Sequence, residues 1–179
     1  MAILAAVLSL GLLADVGTAA RVAASDATLG HGVLGSDTWE VFVHRPKAGP
    51  DVRGRPCLGV LVVEPAAEGY EASKIEACGA VVPAPNVIKY SVGAGRQQRT
   101  VIAIAFGVQI RKVMVDLGSR GKRRMRPRLL PVAIARKVGL KQFRFVVVPL
   151  AGSHCLHRLR GTEIDGTVAI DEKYGDCRQ

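Results

Sequence analysis

The residues most able to do chemistry in this chain lie between positions 111 and 128. Arg111, Lys112, Arg120, Lys122, Arg123, Arg124, Arg126 and Arg128 stand there against a single carboxylate, Asp116. In an extended backbone successive side chains point to opposite faces. Lys122, Arg124, Arg126 and Arg128 then share one face, while Arg123, Met125 and Pro127 take the other. Cations at every second residue repeat at about 6–7 Å. Such a stripe suits a flexible polyanion better than one pocketed phosphate, so these four are the expected polyanion-binding residues. No aromatic is interleaved, so single-strand base stacking is not indicated and no sequence-specific nucleic acid is expected. Pro127 removes a ladder donor and marks an edge strand. Lysine and arginine on an edge also guard against strand-to-strand aggregation, which accounts for the charges without a ligand.

The four cysteines, Cys57, Cys78, Cys155 and Cys177, fall in two sequence-local pairs. An even set of this kind reads as disulfides in an oxidising compartment. Three connectivities exist. Cys57–Cys78 and Cys155–Cys177 are expected, because each closes a short loop bounded by strand-like segments. The rival is zinc, with His154, Cys155 and His157 as ligands. Neither Cys-x-x-Cys nor a spaced His pair is present, so no metal site is assigned.

Other constellations are weaker. Ser153 and His154 are neighbours, but in a strand they point apart, and the Gly-x-Ser-x-Gly elbow is missing. Gly93-Ala94-Gly95-Arg96-Gln97-Gln98 begins like a dinucleotide fingerprint but has Gln98 where the third glycine belongs, and no helix signal follows. Glu163, Asp165, Asp171 and Glu172 cluster without calcium-loop spacing and read as turn chemistry. No catalytic residue, no cofactor and no enzymatic activity are expected.

With 179 residues and 49% hydrophobic side chains, the chain can build a sizeable core. Aromatics are only 4%, so that core must come from Val, Ile, Leu and Ala, which favours strands. The net charge of +10 and pI near 10.0 favour anionic partners. Residues 2–14 are apolar, too short to span a bilayer, and are followed by small residues, with cleavage-like positions after Ala20 and Ala24. The expected organisation is a signal peptide at 1–24, a flexible leader at 25–37 and one β-sandwich domain at 38–179. The protein is expected to be exported, to the cell envelope or beyond.

Strand signals recur along the domain. Trp39, Val41 and Val43 share one face of the opening strand, with Trp39 as a core anchor. Residues 57–64, 78–82 and 87–92 read as strands, and 71–77 fits a helical turn or a loop equally well. Residues 99–106 and 110–117 are apolar, β-branched central strands, joined as a hairpin through Gly107-Val108-Gln109. Residues 122–130 form the basic return strand. A short helix spans 131–138, with Pro131 at its start and Gly139 just past its end. Residues 143–150 return to strand, and Asp165-Gly166 turns a hairpin. The fold class is all-β, an antiparallel two-sheet sandwich, either Ig-like or a partly open barrel.

The segments GRPCLGVLVVE, EACGAVV, VMVDLGSRGK, FRFVVVPL and GTEIDGTVAI, in this order over 38–170, resemble a class of uncharacterised exported bacterial β-sandwich proteins. In these a CL…CG pair staples the amino-terminal part and a DG hairpin closes the domain. The resemblance implies the fold and no activity. The basic run and the Cys155–Cys177 pair are elaborations on that pattern. The functional expectation is an exported, non-catalytic binding domain that contacts anionic envelope polymers, a lipid surface or a protein partner. The alternatives are an inhibitor presenting a loop from 45–56 or 83–86 to a secreted enzyme, and a hydrolase.

Overall fold

The computed structural model describes residues 27–45, 56–79, 85–92, 98–152 and 154–174. The expected signal peptide lies outside them. The described chain forms twelve strands and one α-helix: β1 (Ala27–Leu34), β2 (Asp37–His44), β3 (Cys57–Ala66), β4 (Gly69–Cys78), β5 (Asn86–Val92), β6 (Arg99–Phe106), β7 (Lys112–Asp116), β8 (Lys122–Met125), β9 (Arg128–Leu129), α1 (Val132–Lys137), β10 (Arg144–Ala151), β11 (Arg158–Thr162) and β12 (Val168–Lys173). All pairings are antiparallel. The all-β expectation holds, but there are three four-stranded sheets where two were expected. The first runs β1-β2-β3-β4, the middle one β5-β6-β10-β9, and the third β12-β11-β7-β8.

Strand β6 sets this layering. From Thr100 to Phe106 every residue is buried, so neither face of the strand meets water. Alternation sends Val101, Ala103 and Ala105 into a cluster with Val41, Val43, Leu58 and Val60 of the first sheet. Ile102, Ile104 and Phe106 go into a second cluster with Val113, Val115 and Leu159 of the third sheet. Strand β10 divides in the same way, with Phe145 in the first cluster and Val146, Val148 and Leu150 in the second. The middle sheet is therefore covered on both sides, which is why its strands read as continuous apolar runs rather than alternating ones.

The expected hairpin between residues 99–106 and 110–117 does not form. Strand β6 pairs with β5 and β10, while β7 pairs with β11 and β8. The turn at Gly107–Ile110, closed by the Ile110 amide donating to the Gly107 carbonyl at 3.2 Å, hands the chain from one sheet to the next. The two strands face each other across a core layer instead of lying side by side.

Three further differences have local causes. Residues 27–34, expected in a flexible leader, form β1. A Cβ on Gly32 would stand 2.9 Å from Cζ2 of Trp39, so the indole ring fills the place of the missing side chains. Residues 71–77, open between helical turn and loop, belong to β4, an exposed edge strand held by ten register pairs with β3. The expected basic strand 122–130 is two strands in two sheets, broken around Pro127, whose carbonyl accepts a 2.9 Å bond from Arg144. The helix is close to expectation: Pro131 caps Val132–Lys137, and Ala135 and Val138 bury against the first cluster.

Two further ties close the frame, one ionic and one covalent. Arg99 at the start of β6 bonds buried Asp37 at the start of β2, at 3.0 Å, joining the first and middle sheets. Cys57 and Cys78, directly opposite on β3 and β4, form the expected disulfide. Cys155 is also disulfide-bonded, and its expected partner Cys177 lies outside the described residues.

Two-sided burial of β6 has a measurable consequence. Ile104→Ala should cost about 2–5 kcal/mol from the cavity it leaves. Ala103→Leu should cost about 1–3 kcal/mol from overpacking on the opposite face. Urea denaturation reads both; a strand with one solvent face would tolerate one of the two.

Candidate polyanion-binding face

The third sheet presents its other face to solvent, and strand periodicity decides what that face carries. In β7, Val113 and Val115 are buried while Lys112, Met114 and Asp116 point away from the core. In β11, Leu159 and Gly161 are buried, leaving Arg158, Arg160 and Thr162 outward. Strand β8 is the edge, and its register with β7 sets Arg124 beside Met114 and Lys122 beside Asp116. One row across the four strands therefore reads Arg124, Met114, Arg160, Asp171, and the next reads Lys122, Asp116, Arg158, Lys173.

The carboxylates on this face are engaged. Asp171 takes two 2.6 Å bonds from Arg158, Nε to Oδ1 and Nη2 to Oδ2. Asp116 accepts the Gly118 amide at 3.0 Å and lies 3.9 Å from the Lys122 ammonium. Lys112, Arg124, Arg126 and Arg160 form no ion pair among the described residues. These same four line a trough of about 480 Å³, with Met114, Thr162 and Val168 beside them. Adjacent strands lie about 4.8 Å apart, so Arg124 and Arg160 flank Met114 across roughly 10 Å.

The expected stripe is thus regrouped. Lys122 and Arg124 share the outward face of β8, and Arg126 lines the trough just beyond it. Arg128 leaves the group: it sits on β9 at the edge of the middle sheet, its guanidinium 5.4 Å from the centre of the Phe145 ring. Lys112 and Arg160 take part instead. Alternation in Arg158-Leu159-Arg160-Gly161-Thr162 already put Arg160 on a polar face. That β11 would lie beside β7 has no local signal.

The other candidates resolve differently. Among the described residues, the buried His154 ring bonds the Ala151 carbonyl through Nε2 at 2.6 Å, and Ser153 lies outside them. Cys155 is committed to a disulfide, so the His154, Cys155, His157 set has no thiolate for zinc. Asp165 serves its own turn, accepting the Thr167 amide and hydroxyl at 2.9 Å each, which holds its carboxyl below the usual range. Glu172 accepts from Tyr174 at 2.6 Å; burial and this bond push the phenol well above its ordinary value. Gly93–Gln97 lie outside the described residues.

Comparison of the chain with known protein families, with curated proteins and with solved structures finds no match.

The Arg158 bonds hold the Asp171 carboxyl below its ordinary value, with Arg160 and Lys173 adding to the pull. A carboxyl with a lowered folded-state pKa contributes stability above its unfolded value, and that contribution fades as pH falls through the folded one. NMR titration should show Asp171 ionising at lower pH than an ordinary aspartate. Arg158→Gln should move it back up.

Proposed function

We propose that this chain is an exported, non-catalytic binding domain built of stacked β-sandwich layers. Its third sheet takes an anionic polymer on the outward face. The observation that carries the reading is the set of four cations, Lys112, Arg124, Arg126 and Arg160, around one trough, none of them within ion-pair distance of a carboxylate among the described residues. Their mutual repulsion is relieved by an anion, and the trough extends across strands as well as along them. A chain carrying repeated negative charges meets several of them at once. Such binding is electrostatic, indifferent to sequence and steeply weakened by salt. Among the described residues no aromatic side chain lines the trough, so a polymer without stacked bases suits it better than nucleic acid. The disulfide between Cys57 and Cys78 supports export, because such bonds persist in oxidising compartments.

A second reading rests on β8 being an edge strand. Its Lys122, Arg123 and Arg124 would then serve to keep another strand from pairing there. The inhibitor alternative rests on loops that fall largely outside the described residues.

The two readings part on mutation. Arg124→Gln with Arg126→Gln should elute earlier from heparin and show a flatter salt dependence. The charge-matched control is Arg136→Gln with Lys137→Gln, at exposed positions on α1. Equal elution of the two double variants, with faster aggregation of the first, would establish edge protection instead.

A further inference from the structure

The face of the first sheet turned away from the middle sheet carries a second cluster, independent of the cationic trough. Register sets His44, Cys57 and Cys78 in one row across β2, β3 and β4, and Phe42, Gly59 and Glu76 in the next. Gly59 has no side chain, and the Phe42 ring leans over it: a Cβ there would stand 2.3 Å from Phe42 Cζ. Across this gap His44 Nε2 comes within 2.8 Å of Glu76 Oε1. His44, Cys57 and Glu76 each bring a ligand atom, all within 4.8 Å of one another.

As found, these atoms do not make a metal site, because the Cys57 sulfur is bonded to Cys78 and only a thiolate is a metal ligand. We propose that reduction of Cys57–Cys78 converts the cluster into a four-ligand site for a zinc-like divalent cation. Its ligands are Cys57 Sγ, Cys78 Sγ, His44 Nε2 and Glu76 Oε1. Two sulfurs, one imidazole nitrogen and one carboxylate oxygen form a donor set that suits tetrahedral zinc.

The chemistry balances with a dithiol as reductant. Its thiolate attacks Cys78, the solvent-exposed partner, and Cys57 leaves as a thiolate into the buried row beside His44. The second thiol of the reductant then closes its own disulfide and releases Cys78. Two electrons pass to the protein pair, and metal binding frees the protons of the two thiols. Lys74, half-exposed, holds Glu76 Oε1 at 2.8 Å and must swing away, so it competes with the metal. In an oxidising compartment the pair stays bonded and the site closed.

The test uses Co²⁺ as a spectroscopic probe. Cys155→Ser with Cys177→Ser leaves Cys57 and Cys78 as the only thiols. Oxidised, this protein should take up no Co²⁺. Reduced, it should bind one per chain, with a thiolate charge-transfer band and tetrahedral d–d bands, both abolished by Zn²⁺. His44→Gln and Glu76→Gln should each weaken binding by about tenfold or more, and Lys74→Met should tighten it. If the serine background does not fold, the same titration is run on the full chain against Cys57→Ser with Cys78→Ser, and the difference between them is read. The proposal is overturned if the reduced protein shows no stoichiometric Co²⁺ band. Affinity unchanged in both His44→Gln and Glu76→Gln overturns it as well, as does a β spectrum lost on reduction that Co²⁺ does not restore.

Discussion

Burial of both faces of β6 is the constraint on which the rest of the fold depends. A strand that is apolar on each side must be covered twice, so the chain supplies one sheet above it and another below. The two faces differ in size. Ala103 and Ala105 are small and, with Val101, receive the valines and leucine of the first sheet. Ile102, Ile104 and Phe106 are large and meet the valines of β7. Alternating large and small residues across facing layers is how interiors reach close packing with few aromatics. Only Phe42, Phe106, Phe143 and Phe145 among the phenylalanines are available, and all four are buried.

The third sheet inherits its character from this arrangement. Its inner face is spent on Ile102, Ile104 and Phe106, so every second residue of β7 and β11 is committed to the core. The residues between them are free to be polar, and three of the six, Lys112, Arg158 and Arg160, are basic. Cations from β8, β7 and β11 converge because sheet pairing sets distant parts of the sequence side by side, Arg124 and Arg160 among them. A field spread across strands is a different object from a stripe along one strand. Its charges are spaced in two directions rather than one, and charges that face solvent are screened by salt. These charges lie outside the two core clusters.

Much of this was legible in the residues. The solid apolar run at 100–106 announced a central strand, Pro131 and Gly139 bracketed the helix, and Cys57 with Cys78 closed the expected loop. Alternation assigned the outward cations of β8. What was not legible is which strands lie beside which. Short connections favour hairpins, and Gly107-Val108-Gln109 looked like one, yet the demand for a cover on the second face of β6 overrode it. The glycines of β1 concealed a strand because the side chain that packs there belongs to Trp39 on the neighbouring one. Pro127 was read correctly as an edge signal but also breaks the strand, and so separates Arg128 from Arg124. Local pattern carries period and punctuation, whereas sheet order is decided by packing between segments far apart in the chain.

The most direct test of the layered arrangement is native-state hydrogen exchange. If β6 lies between two covering sheets, its amides from Val101 to Phe106 should exchange only through global unfolding, together with those of the paired part of β10. Those of the exposed edge strands β4 and β12 should exchange earlier, by local opening. Exchange of the β6 amides as fast as those of β4 or β12 would contradict the account, because it would mean that one of the two covers is missing.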